Sequence, residues 1–241
     1  MRNAAMRRVI FNGVASAVIL LSGCACPPGN SDPLEKINRV IYRFNEGLDR
    51  VLLEPASDLY VKHLPEPART GLANAFENLG YANVVLNDFL QGQWGQGLQD
   101  AARMAVNSTI GVAGIFDVAT RWDLPAHRND FGLTLGKWGA GPGPYLVVPL
   151  LGPSSGRDIL GFGTVLLTSP IYWINPPLTV TIPLTATRLV VARSDADSAM
   201  QFRDEAAIDP YVFTRDTYLQ HRRNLILSAP PPPDDGFYEP E

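Results

Sequence analysis

The chain has 241 residues, of which 46% are hydrophobic and 18% are charged, with a formal net charge of -4 and a pI near 5.4. This length and apolar content suffice for one domain with its own core, and the acidic balance excludes a protein whose main surface binds nucleic acid. The only two cysteines, Cys24 and Cys26, lie near the N-terminus, so the remainder has no disulfide framework and no cysteine nucleophile. The three histidines are scattered without helical spacing, so we expect no metal ion and no cofactor.

The N-terminus is organised like a bacterial lipoprotein signal. Three arginines precede an apolar run from Val9 to Leu21, which is too short to span a membrane stably. The run ends in Leu21-Ser22-Gly23-Cys24, which resembles a lipobox and predicts cleavage between Gly23 and Cys24 and acylation of Cys24. Residues 1–23 are therefore predicted to be a lipoprotein signal peptide, with an ordinary signal peptide and a spare cysteine as the alternative. Because Ala25 is not the aspartate that resembles an inner-membrane retention signal, we expect an anchor on the periplasmic side of the outer membrane of a Gram-negative bacterium.

Residues 24–31 are predicted to form a short lipidated tether, and the main domain is predicted over residues 32–226. Asp32-Pro33-Leu34-Glu35 predicts a helix start, with Asp32 as N-cap, Pro33 in the first position and Glu35 in the third. Pro55 is predicted to end this helix. Apolar residues at spacings of three and four predict one apolar stripe along it: Leu34, Ile37, Ile41, Phe44, Leu48 and Val51.

Short periodic segments predict further helices in the first half of the chain. They run from about Pro67 to Leu79, from Ala82 to Leu90 and from Gln96 to Thr109. The polar residues from Arg121 to Asp130 predict a loop.

The segment from Trp138 to Thr187 is unusual because its only charged residues are Arg157 and Asp158. A water-soluble domain normally places charged side chains on the wet face of each helix. Frequent prolines and glycines forbid one unbroken membrane-spanning helix. The segment therefore favours contact with lipid, and a buried core with uncharged loops is the alternative.

The second half of the chain is also predicted to be helical. The apolar run from Tyr145 to Leu151 cannot be assigned by periodicity, while the residues from Ser154 to Leu167 suit a helix. The alternation of apolar residues with threonine from Leu178 to Ala186 favours a strand, but we prefer a helix that begins at Pro183 and reaches about Arg193. Two more helices are predicted, from Asp195 to Ile208 and from Pro210 to about Arg223. Residues 227–241 form a proline-rich acidic tail that is predicted to be disordered, and the sparse strand signals predict an all-α fold with short irregular Gly/Pro-rich segments.

The string Gly152-Pro153-Ser154-Ser155-Gly156 matches the G-x-S-x-G motif of serine hydrolases. His221 and several aspartates lie downstream, so the order nucleophile, acid, base can be filled. An α/β-hydrolase also needs parallel strands on both sides of the motif, and the sequence shows no βαβ alternation. A hydrolase acting on lipid esters through Ser154 is therefore the alternative, and a turn that caps a helix is preferred.

Two other features leave alternatives open. The tryptophans Trp94, Trp122, Trp138 and Trp173 suit either an aromatic belt at a membrane interface or an ordinary core. The pair Arg157 and Asp158 suits either the lining of a polar passage or a structural ion pair, which we favour.

Many short strings together resemble the MlaA (VacJ) family of outer-membrane lipoproteins, which take part in phospholipid transport. The first of them are Asp32-Pro33-Leu34-Glu35, Phe44-Asn45, Pro67-Ala68-Arg69, Leu90-Gln91-Gly92 and Asn107-Ser108-Thr109-Ile110-Gly111. The later ones are Phe131-Gly132-Leu133-Thr134-Leu135-Gly136, Gly143-Pro144-Tyr145, Gly152-Pro153-Ser154 and Asp209-Pro210-Tyr211. They follow one another in order from about Asp32 to Arg223, behind the lipobox.

The resemblance implies a helical ring within one membrane leaflet, crossed by an amphipathic channel that removes mislocalised phospholipids from the outer leaflet to maintain lipid asymmetry. It implies phospholipids, a trimeric porin and a periplasmic lipid carrier as partners, and no catalysis. The family's gating loop falls on Gly139, Gly141 and Gly143, and its channel-adjacent Phe-Asn element falls on Phe44 and Asn45. A lipoprotein that only scaffolds porins is a further alternative.

Overall fold

Residues 32–174 and 176–227 are described by a computed structural model, and they are predominantly helical. The helices are α1 (Glu35–Leu48), α2 (Glu54–His63), α3 (Glu66–Leu90), α4 (Trp94–Thr109), α5 (Phe131–Lys137), α6 (Gly161–Thr168), α7 (Pro170–Ile174), α8 (Leu178–Ala206) and α9 (Pro210–Leu227). The strands β1 (Tyr145–Val148) and β2 (Gly152–Ser155) form one antiparallel hairpin, with Tyr145 opposite Ser155. The signal peptide, Cys24, the tether and residues 228–241 of the predicted tail lie outside the described residues.

Four helices contact one another in a closed circuit. α3 contacts α8, α8 contacts α9, α9 contacts α5, and α5 contacts α3. α4 packs along α3, and α2 packs against α8. The prediction of a helical ring is therefore confirmed, and the hairpin is its one departure from an all-α fold within the described part.

The start of α1 differs from the prediction. The helix begins at Glu35, and Asp32 does not serve as its N-cap. The Asp32 carboxylate instead accepts hydrogen bonds from the Leu34 N–H and from Asn38 Nδ2. The Tyr211 hydroxyl on α9 also donates to it. Asp32 therefore joins the start of α1 to α9.

The prediction that Pro55 ends the first helix is wrong, because the helical path continues through this residue. A π-helical turn over Asp49–Leu53 connects α1 to α2, and Pro55 lies in the first turn of α2. A first-turn residue needs no intrahelical N–H, so proline is accommodated there without losing a hydrogen bond.

The predicted break between residues 79 and 82 is also wrong, because α3 is continuous from Glu66 to Leu90. Gly80 costs about 1 kcal/mol relative to alanine in a helix, which lowers helix propensity without stopping the helix. The packing of α3 along α4, α6 and α8 offsets that cost.

The region from Leu178 to Ala206 is one helix, α8. Both the strand alternative and the helix start at Pro183 are therefore wrong, and no break precedes Asp195. Pro183 lies inside α8 near its beginning. The hydroxyl groups of Thr181 and Thr187 donate to the backbone carbonyls of Pro177 and Pro183. Such hydrogen bonds to the preceding turn accommodate threonine in a helix. The alternation of threonine with apolar residues therefore does not indicate a strand here.

The predicted helix from Ser154 to Leu167 is only partly present. Residues Gly152–Ser155 form β2, and the helix α6 begins at Gly161. The strand forms because β1 lies close enough in the chain to pair with it. The helices predicted from Gln96 and from Pro210 are confirmed as α4 and α9, with α9 reaching Leu227.

The distribution of polarity is inverted relative to a water-soluble domain. The side chains at most 1% exposed are mainly polar, and they include Asn38, Asn87, Asp88, Asp100 and Thr134. Many large apolar residues are exposed on the surface. The predicted stripe residues Ile37 and Phe44 on α1 and Val51 in the π-helical turn face outward.

The same inversion decides two alternatives from the sequence. Between Trp138 and Thr187 the exposed residues include Leu150, Leu167, Ile174 and Ile182, so this segment is not a buried core. All four tryptophans expose more than half of their surface, which favours an interfacial belt over a core position. Among the described residues, no helix combines the length and the apolarity needed to cross a bilayer.

Candidate functional site

Two large cavities border α8 and share Ala192 as a lining residue. The α1–α8 cavity, of about 710 Å³, lies between α1, the hairpin, α8 and α9. The α3–α8 cavity, of about 560 Å³, lies between α3, α6, α8 and residues 127–130. Both volumes lie in the range of sites that bind small molecules.

The α1–α8 cavity has an apolar wall and a charged edge. Its apolar lining includes Leu48, Val147, Leu189, Met200 and Phe213. Ion pairs at the edge join α8 to α1 and the π-helical turn. Arg193 contacts Asp49 at 2.9 Å, and Arg203 contacts Glu46 at 2.8 Å. Such a space offers apolar surface to acyl chains and charge to a polar head group.

The charged residues at this edge are held in place by one another. Burial lowers the pKa of Arg193, but hydrogen bonds with Asp197 and Asp49 outweigh it and raise the pKa. Burial also lowers the pKa of Arg203, and the pairing with Asp204 and Glu46 outweighs burial and raises the pKa. Both guanidinium groups therefore stay charged while they are mostly removed from water.

The α3–α8 cavity also combines both kinds of surface. Its apolar lining comes from α3, α6, α7 and α8, and it includes Phe76, Leu79, Val165, Ile171 and Leu184. Its charged lining consists of Glu77, Arg128, Asp130, Arg188 and Asp195. Within the described ranges Arg188 makes no ion pair, so its charge is available to a ligand in this cavity.

A buried polar network fixes the loop that lines the α3–α8 cavity. The Tyr81 hydroxyl donates to Asp100 Oδ1 at 2.8 Å and accepts from the His127 N–H at 3.0 Å. Asn129 Nδ2 donates to Asp88 Oδ1 at 2.7 Å. Burial raises the pKa of Asp88 to about 7, and the neighbouring Asp100 adds to the effect. Near neutral pH Asp88 is therefore partly protonated, at the contact between α3 and α4.

Asn45, a predicted channel-adjacent residue, joins α1 to the hairpin. Its Nδ2 donates to the Val148 carbonyl at 3.0 Å, and its Oδ1 accepts from the Leu150 N–H at 3.0 Å. Asn45 lines the α1–α8 cavity and holds the hairpin tip at its edge. Its neighbour Phe44 is exposed on the outer surface.

Asn38 makes the same kind of contact two turns earlier on α1. Its Nδ2 donates to the Tyr145 carbonyl at 2.9 Å, and its Oδ1 accepts from the Val147 N–H at 3.0 Å. Sequence reasoning misses this role. The available signal is the spacing of seven between Asn38 and Asn45, which places both amides on one face of α1.

The predicted gating glycines lie in a loop between α5 and β1. Gly139 and Gly143 have φ angles of +94° and +68°, which favour glycine over other residues. The Arg157 N–H donates to the Pro142 carbonyl at 3.1 Å and so ties the loop to the end of β2. Gly143 lines a third cavity. Within the described residues, 32–174 and 176–227, none of the three glycines lines either of the cavities that border α8.

The pair Arg157 and Asp158 belongs to a buried ion network. Asp158 Oδ1 accepts from Arg157 Nε at 3.0 Å and from Arg222 Nη2 at 2.9 Å, and Tyr218 donates to Oδ2 at 2.6 Å. Arg222 also binds Asp130, the N-cap of α5. These contacts support the structural interpretation of the pair, since they connect α5, α9 and the segment after β2.

Ser154 does not lie in a nucleophile elbow. The elbow is a sharp turn from a strand into a helix in a parallel sheet. Ser154 lies within β2 of an antiparallel hairpin, opposite Leu146, and is buried. The G-x-S-x-G string therefore does not have the backbone geometry of a hydrolase nucleophile.

Comparisons with known proteins agree with this architecture. A family model described as MlaA lipoprotein matches residues 30–225. Proteins of Shigella flexneri and Escherichia coli named intermembrane phospholipid transport system lipoprotein MlaA are each 34% identical to this chain, over 91% of the chain and 89% of their own length. A protein of the same name from Haemophilus influenzae is 28% identical over 96% of the chain and 98% of its own length.

A solved structure supports the fold. It is described as the "structural basis for maintenance of bacterial outer membrane lipid asymmetry", and it matches with a TM-score of 0.72 and 28% identity. The match covers 82% of this chain and 100% of that one. The names of the relatives describe a transport component rather than a catalyst. With the ring of helices, the cavities along α8 and a family match over nearly the whole described region, the chain belongs to the MlaA lipoprotein family.

Proposed function

We propose that this chain forms a passage for phospholipids in the outer membrane and removes mislocalised phospholipids from the outer leaflet, which maintains lipid asymmetry. The observation that carries the proposal is the α1–α8 cavity, whose apolar wall and paired charges suit a molecule with acyl chains and a charged head group. A lipid head group crosses an apolar layer at high cost unless polar groups line its path.

The exposed apolar surface supports a position within lipid. Apolar side chains on α1, α6 and α8 face outward, and the tryptophans lie at the surface. A water-soluble monomer rarely exposes large apolar patches, and here many large apolar side chains are exposed. The ring is therefore proposed to lie in one leaflet, on the periplasmic side of the outer membrane.

The passage has proposed partners on both sides. A trimeric porin is proposed to contact the apolar outer surface, and a periplasmic lipid carrier of the same transport system is proposed to receive the lipid. The loop with Gly139, Gly141 and Gly143 is proposed to gate access, since glycine has no Cβ and its backbone can adopt several conformations. Phe44 and Asn45 are proposed to lie beside the passage, where Asn45 sets the position of the hairpin tip.

Blocking the cavity tests this function. Ala192 lines both α8 cavities, so Ala192→Trp fills space there without displacing a tightly packed core residue. In cells that express only this variant, we expect surface-exposed phospholipid to rise towards the level of cells without the protein. Ala186→Trp is the matched control, because Ala186 is exposed on another face of α8 and lines neither cavity.

Two outcomes would speak against the passage. Normal lipid asymmetry with Ala192→Trp, at normal protein levels, would show that these cavities do not carry phospholipid. Unchanged asymmetry in cells that lack the protein altogether would favour a scaffold for porins.

The proposed anchor has its own test. Cys24→Ala is expected to abolish incorporation of a labelled fatty acid into the chain, because the acylated thiol and amine belong to this residue. Cys26→Ala is the control and should keep the label. Continued labelling of Cys24→Ala would show that the anchor lies elsewhere.

A further inference from the structure

A third cavity, of about 340 Å³, lies where the glycine-proline loop meets β2 and the C-terminal half of α9. The loop contributes Pro142 and Gly143, and the hairpin contributes Tyr145 and Ser155. Neither α8 cavity shares the arginines of this one. We call it the loop–α9 cavity.

One face of α9 forms its longest wall. Leu219, Arg222, Arg223 and Ile226 all line the cavity. Their spacings of three, four and seven place them on one side of a helix. Two guanidinium groups therefore lie between two apolar side chains, and Leu227 extends the apolar part.

The charges of the cavity do not balance. Arg157, Arg222 and Arg223 face two carboxylates, those of Asp158 and of Asp130, which binds Arg222. Arg223 makes no ion pair with any described residue. One positive charge is thus left for a ligand.

The arginines are prepared for an anion in different ways. Arg157 and Arg222 are nearly buried and are held in place by Asp158, so they add fixed positive charge beside the cavity while their hydrogen bonds stay within the protein. Arg223 is exposed and carries the uncompensated charge. Guanidinium groups bind phosphate oxygens with paired, charge-assisted hydrogen bonds.

We propose that the loop–α9 cavity binds the phosphate of a glycerophospholipid, with Arg223 as its main contact and the apolar side chains of α9 against the first part of the lipid. This inference rests on the proposed function and names a second lipid site, separate from the α8 cavities. The shared chemistry is a phosphate group, which free phosphate also carries. The apolar wall favours the lipid, because inorganic phosphate gains nothing from Leu219 and Ile226.

The loop–α9 cavity lies against the loop that contains the three glycines, so a ligand in the cavity contacts that loop. Gly143 lines the cavity, and Arg157 also holds the loop through the Pro142 carbonyl. A phosphate bound in this cavity by Arg223 therefore lies against the same segment that contains Gly139 and Gly141. Occupancy of the site restricts that loop.

The test is photo-crosslinking with the purified full-length lipoprotein in detergent. The probe is a phosphatidylglycerol with a photoreactive group near the start of one acyl chain, and adducts are mapped by mass spectrometry. We expect adducts at residues 142–145 and 219–227. Arg223→Glu should reduce them about tenfold, since it removes one charge-assisted contact and adds repulsion. Arg121→Glu is the control, because Arg121 is exposed and does not line the cavity.

Competition separates the two sources of phosphate. An excess of unlabelled phosphatidylglycerol should remove the adducts, whereas diacylglycerol or inorganic phosphate at the same concentration should not. Competition by inorganic phosphate as strong as that by the lipid would overturn the lipid as occupant. Unchanged adducts in Arg223→Glu would overturn the site itself.

The location of the adducts separates this proposal from the proposed function. Adducts on α8 without adducts on α9 would overturn the second site and leave the passage intact. A complete absence of phospholipid adducts would count against both.

Discussion

Replacing Asp158 by asparagine is expected to lower the free energy of unfolding by about 3–5 kcal/mol, because it leaves two buried arginines without their shared carboxylate. Asp158 accepts hydrogen bonds from Arg157, Arg222 and Tyr218, and its side chain is 8% exposed. Asparagine keeps the shape but presents an N–H group to these donors. Denaturant unfolding of the purified protein in detergent measures the loss.

The control for Asp158→Asn is Asp216→Asn on α9. Asp216 pairs with Arg215, and its side chain is 59% exposed. An exposed ion pair contributes about 1 kcal/mol or less, so this variant should remain close to the native protein. Equal losses in the two variants would contradict the structural role of the buried network.

The Asp158 carboxylate should also affect how the stability of the protein changes in acid. Burial opposes ionisation of Asp158, but hydrogen bonds from Tyr218 and Arg222 lower its pKa below the ordinary value. A lowered pKa in the folded state stabilises the protein above the ordinary pKa of aspartate, and this contribution is lost as the pH falls through the lowered value. The loss of stability in acid should therefore be smaller in Asp158→Asn than in the native protein.

The sequence predicts the helices α4 and α9 well because their signals are local. Apolar spacing, a glycine turn before α4 and a proline at the start of α9 act within one or two turns. Helix continuity is predicted less well. Gly80, Pro55 and Pro183 lower helix propensity, but packing against neighbouring helices and the places they occupy in the helices offset that cost.

Which way an amphipathic helix faces is not contained in its periodicity. The spacing along α1 and the π-helical turn groups the outward-facing Ile37, Phe44 and Val51, but it does not say whether they meet a core or lipid, since both are apolar. The useful signal is the other face, where Asn38 and Asn45 bind the hairpin. Their partners are backbone groups more than a hundred residues away, so no local pattern identifies them.

The sequence predicts the kind of site, a lipid-contacting passage, but not the residues that form it. The uncharged segment after Trp138 and the family strings indicate a lipid-contacting ring with a passage. The ion pairs that border the passage join α8 to α1 and to the π-helical turn, for example Arg193 to Asp49. Such pairings depend on the way helices distant in sequence pack, which single-sequence reasoning cannot supply.

The stability of the protein should fall as the pH rises from about 4 to about 7 because of Asp88. Burial raises the pKa of Asp88 to about 7, so the folded chain keeps a proton that the unfolded chain releases near its ordinary pKa. Stability rises with pH only where the unfolded state holds more protons, and here the folded state holds more. We expect this group to remove about 2–4 kcal/mol across the interval, with little further loss above about pH 8.

Asp88→Asn isolates this contribution from the other titratable groups of the network, Asp100 and His127. Asparagine resembles the protonated carboxyl group: its oxygen can accept from Asn129, and its N–H can face Asp100. The variant should lack the decline between pH 4 and 7 and should exceed the native protein in stability at pH 8. Denaturant midpoints in detergent at several pH values measure both effects.

Asp100→Asn is the contrasting variant, because Asp100 accepts hydrogen bonds from Tyr81 and Gln96 and lies 3.2 Å from His127 Nδ1. Its replacement weakens these contacts at every pH, so it should destabilise the protein without removing the slope. A native protein with equal stability at pH 5 and pH 8 would contradict the buried proton. So would an Asp88→Asn variant that is less stable than the native protein at pH 8, since the proton would then not be what joins α3 and α4 at this point.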